Sequence, residues 1–367
     1  MHDMLMPSDS QSPGEGPGDI LMLKAHSAGI GDLLRSSAAW RALKNRFPQA
    51  GLHLWFLTKN PSSASSELIS RHHLLESFHV TDKRSSGGGW RVLLTEARSL
   101  AARIKPKLVI DFEPNGFRTS LLAWNLGRLA RAQTVGIAQA PFRRFFYSRV
   151  AASTQTYARQ RGMPWPLEYA ERDFVALTAL GLERRGTAIE LQETNEGRRF
   201  RESLRLELGA EAGRPLLGLN IGCGTPDAVW KRPNLRLMAR LTDELQRRHG
   251  FALVLTGANY EQAVNKEFLS IYQPQGPILD LAGRTTLLEL TGLIAACRLF
   301  ISSDSGPYHM AAGLRVPTLA VFNRPNPVHY HHHDWVDCQV AQNENDLPRL
   351  AECAEKLLRL MPAPALA

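Results

Sequence analysis

Short apolar runs alternate along the first half of the chain with longer stretches in which apolar residues recur every three or four positions. The runs predict buried strands at residues 19–24, 52–57 and 108–112. The stretches predict amphipathic helices at residues 33–47, 93–104 and 119–132. Strands that alternate with helices in this way are typical of a parallel sheet with helices packed on it.

The second half of the chain repeats the alternation more clearly. Strands are predicted at residues 216–221, 252–256, 299–302 and 318–322, and helices at residues 235–249 and 287–296. The pattern between residues 143 and 191 is harder to interpret, and we expect a domain boundary there. The predicted fold class is therefore α/β, with two doubly wound parallel-sheet domains in tandem.

This organisation divides the chain into four parts. We expect a disordered tail at residues 1–19, a first Rossmann-like domain at 20–190 and a second at 191–340. A carboxyl-terminal helix and tail at 341–367 has the length to pack back across the domains.

Composition limits where the protein works. The apolar runs are far shorter than the roughly 20 residues that cross a bilayer, so a soluble protein is expected. The first nineteen residues lack a basic start followed by an apolar core, which argues against a secretory signal. The four cysteines show no paired spacing, as is typical of reduced thiols in a cytosolic protein.

Positive charge is concentrated in the first half of the chain. Residues 1–160 carry 21 Lys and Arg against 11 Asp and Glu, whereas residues 161–367 carry 23 against 24. Such an excess favours an anionic partner, whether nucleic acid, a membrane surface or an acidic small molecule. Arginine-rich helices that only keep the protein soluble are the simpler alternative.

One turn in the second half carries candidate chemistry. Residues 300–314 read FISSDSGPYHMAAGL, a predicted strand that ends in Asp304, Ser305 and Gly306 before a predicted helix. Asp and Ser are good helix N-caps, and Gly306 lets a ligand approach the backbone, so the free N–H groups of the helix start favour an anion. An ordinary capped helix start is the alternative interpretation.

Two further turns follow strands of the same predicted sheet. Their candidate residues are Gly222, Thr225, Lys231, Arg232, Gly257 and Glu261. A lysine and an arginine can bind phosphate, and a carboxylate can accept hydrogen bonds from a ribose. Because the carboxyl ends of parallel strands meet at one edge, the three turns together predict a nucleoside diphosphate site.

Three segments of the sequence resemble glycosyltransferase family 9, the heptosyltransferases of the bacterial lipopolysaccharide inner core. The most specific is LDLAGRTTLLELTGLIAACRLFISSDSGPYHMAAGLRVPTLAVFNRPNP at residues 279–327. The segments ILMLKAHSAGIGDLLRSSAAWRALKNRFPQA at 20–50 and DFEPNGFRTSLLAW at 111–124 are similar to signatures of the family's first domain.

The resemblance implies a GT-B fold, in which two Rossmann-like domains face a cleft. The second domain is then expected to hold a nucleotide sugar, typically ADP-heptose, and the first an anionic glycan or glycolipid acceptor. Transfer would invert the anomeric centre with no bound metal and no cofactor. The implied location is the cytoplasm, with peripheral contact to the inner membrane as a further expectation.

The resemblance also implies roles for single residues. Asp32 matches the catalytic base, Lys231 the phosphate-binding lysine and Glu261 the ribose contact. Asp304, Ser305, Gly306 and His309 match the donor-site helix start. Basic residues that the family presents to the acceptor match Arg118, Arg143 and Arg144.

Asp32 has a structural alternative, because a carboxylate at this point can also cap the following helix. The spacing from Lys24 to Asp32 is longer than in the family, and Trp230 precedes Lys231 where the family has K-x-W-P. Asn220 and Cys223 stand where His and Ala are common in the family. Another nucleotide sugar or another acceptor therefore remains an alternative.

Residues 329–334 read HYHHHD and have no counterpart in the family. Imidazole suits zinc, nickel and copper, so this cluster is a candidate metal site. Adjacent histidines rarely point at one centre, which favours a solvated loop near the mouth of the cleft.

Three other classes of function are alternatives to a glycosyltransferase. Nucleic-acid binding lacks any recognised module, and no partner of that kind is predicted. A nucleotide-dependent redox enzyme is disfavoured because no G-x-G-x-x-G follows the first strand of either domain. A non-catalytic protein that binds nucleotide sugars or other anions stays open.

Overall fold

Each half of the chain forms a six-stranded sheet in which every strand pair is parallel. The computed structural model describes residues 18–25, 29–59, 63–82, 89–208, 213–223, 226–274 and 276–360. The predicted tail lies outside these residues except for Gly18 and Asp19.

The first sheet has the strand order β3-β2-β1-β4-β5-β6. Its strands are β1 Ile20–Ala25, β2 Leu52–Thr58, β3 Ser77–Asp82, β4 Leu108–Asp111, β5 Gln133–Ile137 and β6 Arg149–Ala151. The helices of this half are α1 Ile30–Leu34, α2 Ser37–Arg46, α3 Ala64–Ser70, α4 Trp90–Ile104, α5 Phe117–Ala130, α6 Thr154–Gln160 and α7 Tyr169–Leu177.

The second sheet has the strand order β12-β11-β10-β7-β8-β9. Its strands are β7 Leu216–Asn220, β8 Ala252–Leu255, β9 Ile278–Asp280, β10 Cys297–Ser302, β11 Thr318–Phe322 and β12 Val336–Val340. The helices are α8 Asn195–Leu208, α9 Leu235–His249, α10 Gln262–Ile271, α11 Leu287–Ala296, α12 Gly306–Gly313 and α13 Leu347–Leu360.

Alternate residues of the central strands enter different core clusters. In β1, Ile20 and Met22 join one cluster, whereas Leu21 and Leu23 join another. Both faces of the sheet are therefore covered, which explains why the strand reads as a continuous apolar run.

Both sheets reverse their strand order at an equivalent point, between β1 and β4 in the first and between β7 and β10 in the second. Ligands of open parallel sheets bind beyond the carboxyl ends of the strands at such a switch point. The turns that carry Asp32 and Asp304 follow β1 and β10, so the topology places both at these positions.

The helix predicted at residues 33–47 is divided into α1 and α2. The hydroxyl of Ser37 donates to the carbonyl of Leu34 at 2.5 Å, and such local bonds compete with the helical ladder. The break frees α1 to lie at a different angle and to pack against α12 of the second half.

The two halves share one continuous apolar core. A single cluster includes Ile30 and Leu33 of α1 together with Tyr308 and Met310 of α12. Glu190, the last residue of the proposed first domain, pairs with Arg41 of the same domain at 2.8 Å. The described part of the carboxyl-terminal helix, α13, packs on α9 and on β10, β11 and β12 of the second sheet. Among the described residues, no helix is both long and apolar enough to span a bilayer.

Candidate active site

Asp32 lies in the first turn of α1, just beyond the carboxyl end of β1. The N-cap of this helix is Gly29, so Asp32 does not occupy the capping position that the alternative interpretation required. Its Oδ1 accepts from the Arg35 guanidinium at 3.0 Å, and 17% of its side chain is exposed. The carboxylate lines a small cavity, which makes it accessible to a ligand.

Arg35 connects this carboxylate to the second domain. Its Nε donates to the Gly31 carbonyl at 2.9 Å, and an η nitrogen lies 3.5 Å from the Val328 carbonyl. Burial lowers the pKa of Arg35, while the charges of Asp32 and Asp304 oppose that shift. A buried guanidinium thus lies within electrostatic reach of one carboxylate from each domain.

Asp304 is held by three side chains of the second domain. Its Oδ2 accepts from Lys231 Nζ at 3.0 Å and from Asn326 Nδ2 at 2.8 Å, and its Oδ1 lies 2.7 Å from His329 Nδ1. Burial alone would raise the pKa of Asp304, but His329 and Lys231 lower it to about 2. Asp304 is therefore a permanently charged group that positions Lys231 at the cleft.

The start of α12 differs in detail from the predicted capped helix. Ser305 is the N-cap residue, but its hydroxyl donates to Asn220 Oδ1 at 2.8 Å and makes no capping bond. Neither it nor Asp304 therefore caps the helix through its side chain. Within the described ranges no side chain accepts from the N–H groups at this helix start, which suits an anion.

Two glycines allow the domains to approach each other closely at this point. A Cβ on Gly31 would lie 2.2 Å from Cδ2 of His309, and a Cβ on Gly306 would lie 2.5 Å from Cγ2 of Ile30. Both distances are too short for any larger residue, so α1 and α12 depend on glycine for their contact. Gly306 and His309 thus lie where the halves meet.

His309 is part of a buried histidine pair. Its Nδ1 lies 2.8 Å from Nε2 of His331. Burial, reinforced by the charge of Arg35, holds the pKa of both imidazoles well below the ordinary 6.5. Both rings are therefore neutral at pH 7.

Glu261 organises the other two predicted turns. Its Oε1 accepts from the Cys223 N–H at 2.7 Å and its Oε2 from the Ala258 N–H at 2.8 Å. A Cβ on Gly222 would lie 1.8 Å from Oε1, and one on Gly257 would lie 3.1 Å from the Glu261 Cβ. The structure therefore brings these three predicted residues together, with the carboxylate tying the two turns. Thr225 lies outside the described residues.

Arg232 follows Lys231 at the edge of this site. Its Nε is buried, and among the described residues no hydrogen-bond acceptor reaches it. A buried donor without a partner is costly, which is consistent with a ligand acceptor at this position.

The predicted acceptor arginines separate into two groups. Arg118 and Arg144 are exposed, whereas Arg143 is 1% exposed. Arg143 pairs with Asp111 at 3.2 Å and donates to the Ile137 carbonyl at 3.1 Å. The prediction that Arg143 contacts an acceptor is therefore wrong, because its guanidinium is used inside the first domain.

The cavity beside Asp32 also contains residues that the sequence did not single out. Lys24 at the end of β1 forms a buried ion pair with Asp173 of α7 at 2.8 Å. Tyr169 and Arg172 of α7 line the same cavity, and the Arg172 guanidinium lies 4.8 Å from the Tyr169 ring centre. The sequence signal for these α7 residues was polar side chains at three- and four-residue spacing within residues 143–191, the region that was difficult to interpret.

The histidine cluster was expected to be a solvated loop, but part of it is buried. His331 is 2% exposed, and His333 stacks between His331 and Trp335 with ring centres 5.7 and 4.7 Å away. His329 points instead to Asp304. Part of the cluster is therefore packed inside the protein, with His332 exposed and His329 bonded to Asp304.

Asp304, His309 and His329 form a possible metal-ligand set, because their donor atoms all lie within 4.8 Å of one another. Lys231 is 3.0 Å from Asp304, and Arg35 acts electrostatically on both Asp304 and His309. Two neighbouring cations disfavour a third positive charge, so this arrangement suits an anion better than a metal ion.

Comparison with known proteins gives a consistent result. The family model described as glycosyltransferase family 9 (heptosyltransferase) matches residues 126–358. Lipopolysaccharide heptosyltransferase 2 of Escherichia coli K12 is 25% identical over 319 residues, 81% of each chain. Lipooligosaccharide heptosyltransferase 2 of Campylobacter jejuni is 30% identical over 110 residues, and the match spans only 34% of that protein and 30% of this chain.

Solved structures resemble the whole described architecture. A glycosyltransferase family 9 protein from Veillonella parvula superposes with a TM-score of 0.70 at 18% identity, covering 94% of this chain and 98% of that one. The ADP-heptose lipopolysaccharide heptosyltransferase II of E. coli gives 0.64 at 20% identity, covering 93% and 99%. These likenesses confirm the predicted GT-B fold.

Proposed function

The chain belongs to glycosyltransferase family 9, and we propose that it is an inverting, metal-independent glycosyltransferase. The proposed donor is a nucleotide sugar, in the first instance ADP-heptose, and the proposed acceptor is a lipopolysaccharide core or related glycan. The E. coli relatives are named lipopolysaccharide heptosyltransferase 2 and ADP-heptose lipopolysaccharide heptosyltransferase II, and these names support this choice of substrates.

One observation carries the proposal. The buried Arg35 bonds Asp32 of the first domain at 3.0 Å and lies within electrostatic reach of Asp304 of the second, which in turn pairs with Lys231. A transferase of this kind needs a base for the acceptor hydroxyl on one side and positive charge for the departing diphosphate on the other. The two requirements are met by residues on opposite domains.

In the proposed reaction, Asp32 removes the proton from an acceptor hydroxyl as the oxygen attacks the anomeric carbon. The bond between that carbon and the diphosphate breaks on the opposite face, so the configuration inverts. General base catalysis of this type contributes about 10²- to 10⁴-fold. The proton resides on Asp32, and the nucleoside diphosphate leaves with the bonding electron pair.

Negative charge develops on the diphosphate as it leaves. Lys231, Arg232 and the N–H groups at the start of α12 are proposed to stabilise it, with Ser305, Gly306 and His309 shaping that helix start. Asp304 keeps Lys231 in position. This division of labour supplies the positive charge from the protein itself.

The nucleoside is proposed to lie along the turns after β7 and β8. Gly222, Gly257 and Glu261 form that surface, with Thr225 proposed as a further phosphate contact. Glu261 retains its proposed role at the ribose, and its two backbone bonds define its orientation.

Arg118 and Arg144 are proposed to contact an anionic glycan or glycolipid acceptor, because both are exposed on the first domain. With such an acceptor, the proposed location is the cytoplasm, in peripheral contact with the inner membrane.

A different nucleotide sugar is the second candidate. Asn220, which stands where the family often has histidine, bonds to Ser305 at 2.8 Å and so shapes the start of α12. A change at this position alters the wall of the donor site and therefore the sugar it accepts.

A thermal-shift panel of nucleoside diphosphates and their sugars tests the proposal. A selective rise in Tm with ADP and ADP-heptose, unchanged by EDTA, is the expected result, since a ligand that binds only the folded state stabilises it. Arg232→Gln should abolish the shift, whereas Arg236→Gln, an exposed arginine on α9, should retain it. Failure of every nucleoside diphosphate to raise Tm would reject the function.

A further inference from the structure

Three large aromatic side chains lie together on the surface of the first domain. Phe117, Phe142 and Phe145 are 51%, 50% and 79% exposed. The rings of Phe117 and Phe142 have their centres 6.1 Å apart. Single exposed apolar residues are ordinary, but a contiguous group of large ones marks an interaction site.

The segment that carries these rings has charges of one sign only. Residues 114–167 contain eight arginines and no Asp, Glu or Lys. Arg118 and Arg144, both exposed, are neighbours in sequence of Phe117 and Phe145. We call Phe117, Phe142, Phe145, Arg118 and Arg144 the aromatic-basic surface.

Helix α5 extends the aromatic-basic surface. Trp124 is 38% exposed and lies seven residues after Phe117, which places both on one face of the helix. The Arg128 guanidinium lies 5.0 Å from the Trp124 ring centre. Exposed Trp and Arg side chains on one face of a helix are typical of helices that lie in the interface of a membrane.

Buried contacts hold the aromatic-basic surface in place. Arg143, between Phe142 and Arg144, bonds Tyr147 Oη at 2.8 Å and the Glu113 carbonyl at 2.5 Å. Glu113 lines the same cavity as Asp32. The surface is therefore attached to the carboxyl-terminal side of the first sheet, next to the cavity that Asp32 lines.

We infer that the aromatic-basic surface docks on an anionic lipid bilayer, with the phenylalanines in the interface and the arginines against lipid phosphates. Apolar insertion and electrostatic attraction add in binding of this kind. A second copy of the chain is the poorer occupant, because a two-fold contact would place arginines against arginines. The inference rests on the proposed function only for its biological purpose, which is to bring Asp32 to a lipid-linked acceptor.

Co-sedimentation of the full chain with vesicles tests the inference. Vesicles containing phosphatidylglycerol should bind the protein, vesicles of phosphatidylcholine alone should bind it weakly, and salt should reduce the difference. The variant carrying Phe142→Ser and Phe145→Ser should lose at least about tenfold in affinity for the anionic vesicles. Leu206→Ser is the matched control, because Leu206 is 83% exposed but lies on α8 of the second domain.

The outcomes separate this inference from the proposed function. Vesicle binding needs no sugar chemistry, and the double variant should keep its Tm and its turnover of a lipid-free acceptor. Unchanged vesicle binding by the double variant, or equal loss in Leu206→Ser, overturns the inference. So does a dimer that the two phenylalanine substitutions dissociate, since the aromatic-basic surface would then be a contact between copies.

Discussion

Asp32 and Asp304 belong to opposite domains and both act electrostatically on Arg35, yet their surroundings differ. Asp304 is bonded by Lys231, Asn326 and His329, and 4% of its side chain is exposed. Asp32 lines a cavity, is 17% exposed and pairs with Arg35. The first arrangement fixes a charge and the second presents one, so neighbours rather than residue type separate a positioning carboxylate from a reactive one.

The largest effect expected from this contrast concerns Asp32. Asp32→Asn keeps the size of the side chain but cannot accept the proton of the acceptor hydroxyl, so kcat should fall about 10²- to 10⁴-fold. Donor binding should be unchanged, because the substitution is on the first domain. Steady-state kinetics and the ADP-induced rise in Tm measure the two quantities.

Asp19→Asn is the control for this prediction. Asp19 is also a carboxylate of the first domain, but it precedes β1 and accepts from the Gly51 N–H at 3.0 Å, at the opposite end of the strand. It should leave kcat unchanged. Near-normal turnover in Asp32→Asn would remove the base from the mechanism.

Substitution of Asp304 should instead act mainly on the stability of the fold. Its pKa of about 2, against an ordinary 3.8, means that the charged form contributes roughly 2 kcal/mol to folding. This contribution is present above pH 3.8 and is lost as pH falls through 2. Asp304→Asn should lower the free energy of unfolding by about that amount at pH 7, as measured by urea denaturation.

Asp346→Asn supplies the comparison for this second prediction. Asp346 pairs with Arg349 at 2.7 Å, but 26% of its side chain is exposed. Solvent screening makes such pairs weak, so its loss should be clearly smaller. Equal losses in the two variants would show that Asp304 is no more tightly fixed than a surface carboxylate.

The inner strands other than β5 could be predicted from the sequence, and the edge strands could not. Both β7 and β11 are buried throughout and read as apolar runs. In contrast, β3 and β9 are only half-buried, so their residues alternate too weakly to be distinguished from loops. A parallel strand can be recognised in the sequence when both of its faces are buried, because it then reads as a continuous apolar run.

The site shows a similar limit. Asp32, Lys231 and Asp304 lie in the segments that follow β1, β7 and β10, and they could be singled out from the turns and from the family resemblance. Lys24 and Asp173 could not be paired, because they are 149 residues apart in sequence and meet only when α7 packs against α2, β5 and β6. Arg143 misled because two adjacent arginines give no sign of which one points inward.

The last predicted effect concerns the buried pair of His309 and His331. Burial holds the pKa of His309 and of His331 well below 6.5, so the folded state excludes protons that the unfolded chain binds below pH 6.5. Stability should therefore be complete above pH 6.5 and fall on acidification, by about 1.4 kcal/mol per pH unit for each histidine. His331→Gln should make that slope shallower between pH 6.5 and 5, as measured by urea denaturation at each pH, whereas the exposed neighbour variant His332→Gln should keep it. An unchanged slope in His331→Gln would mean that folding does not lower the pKa of His331.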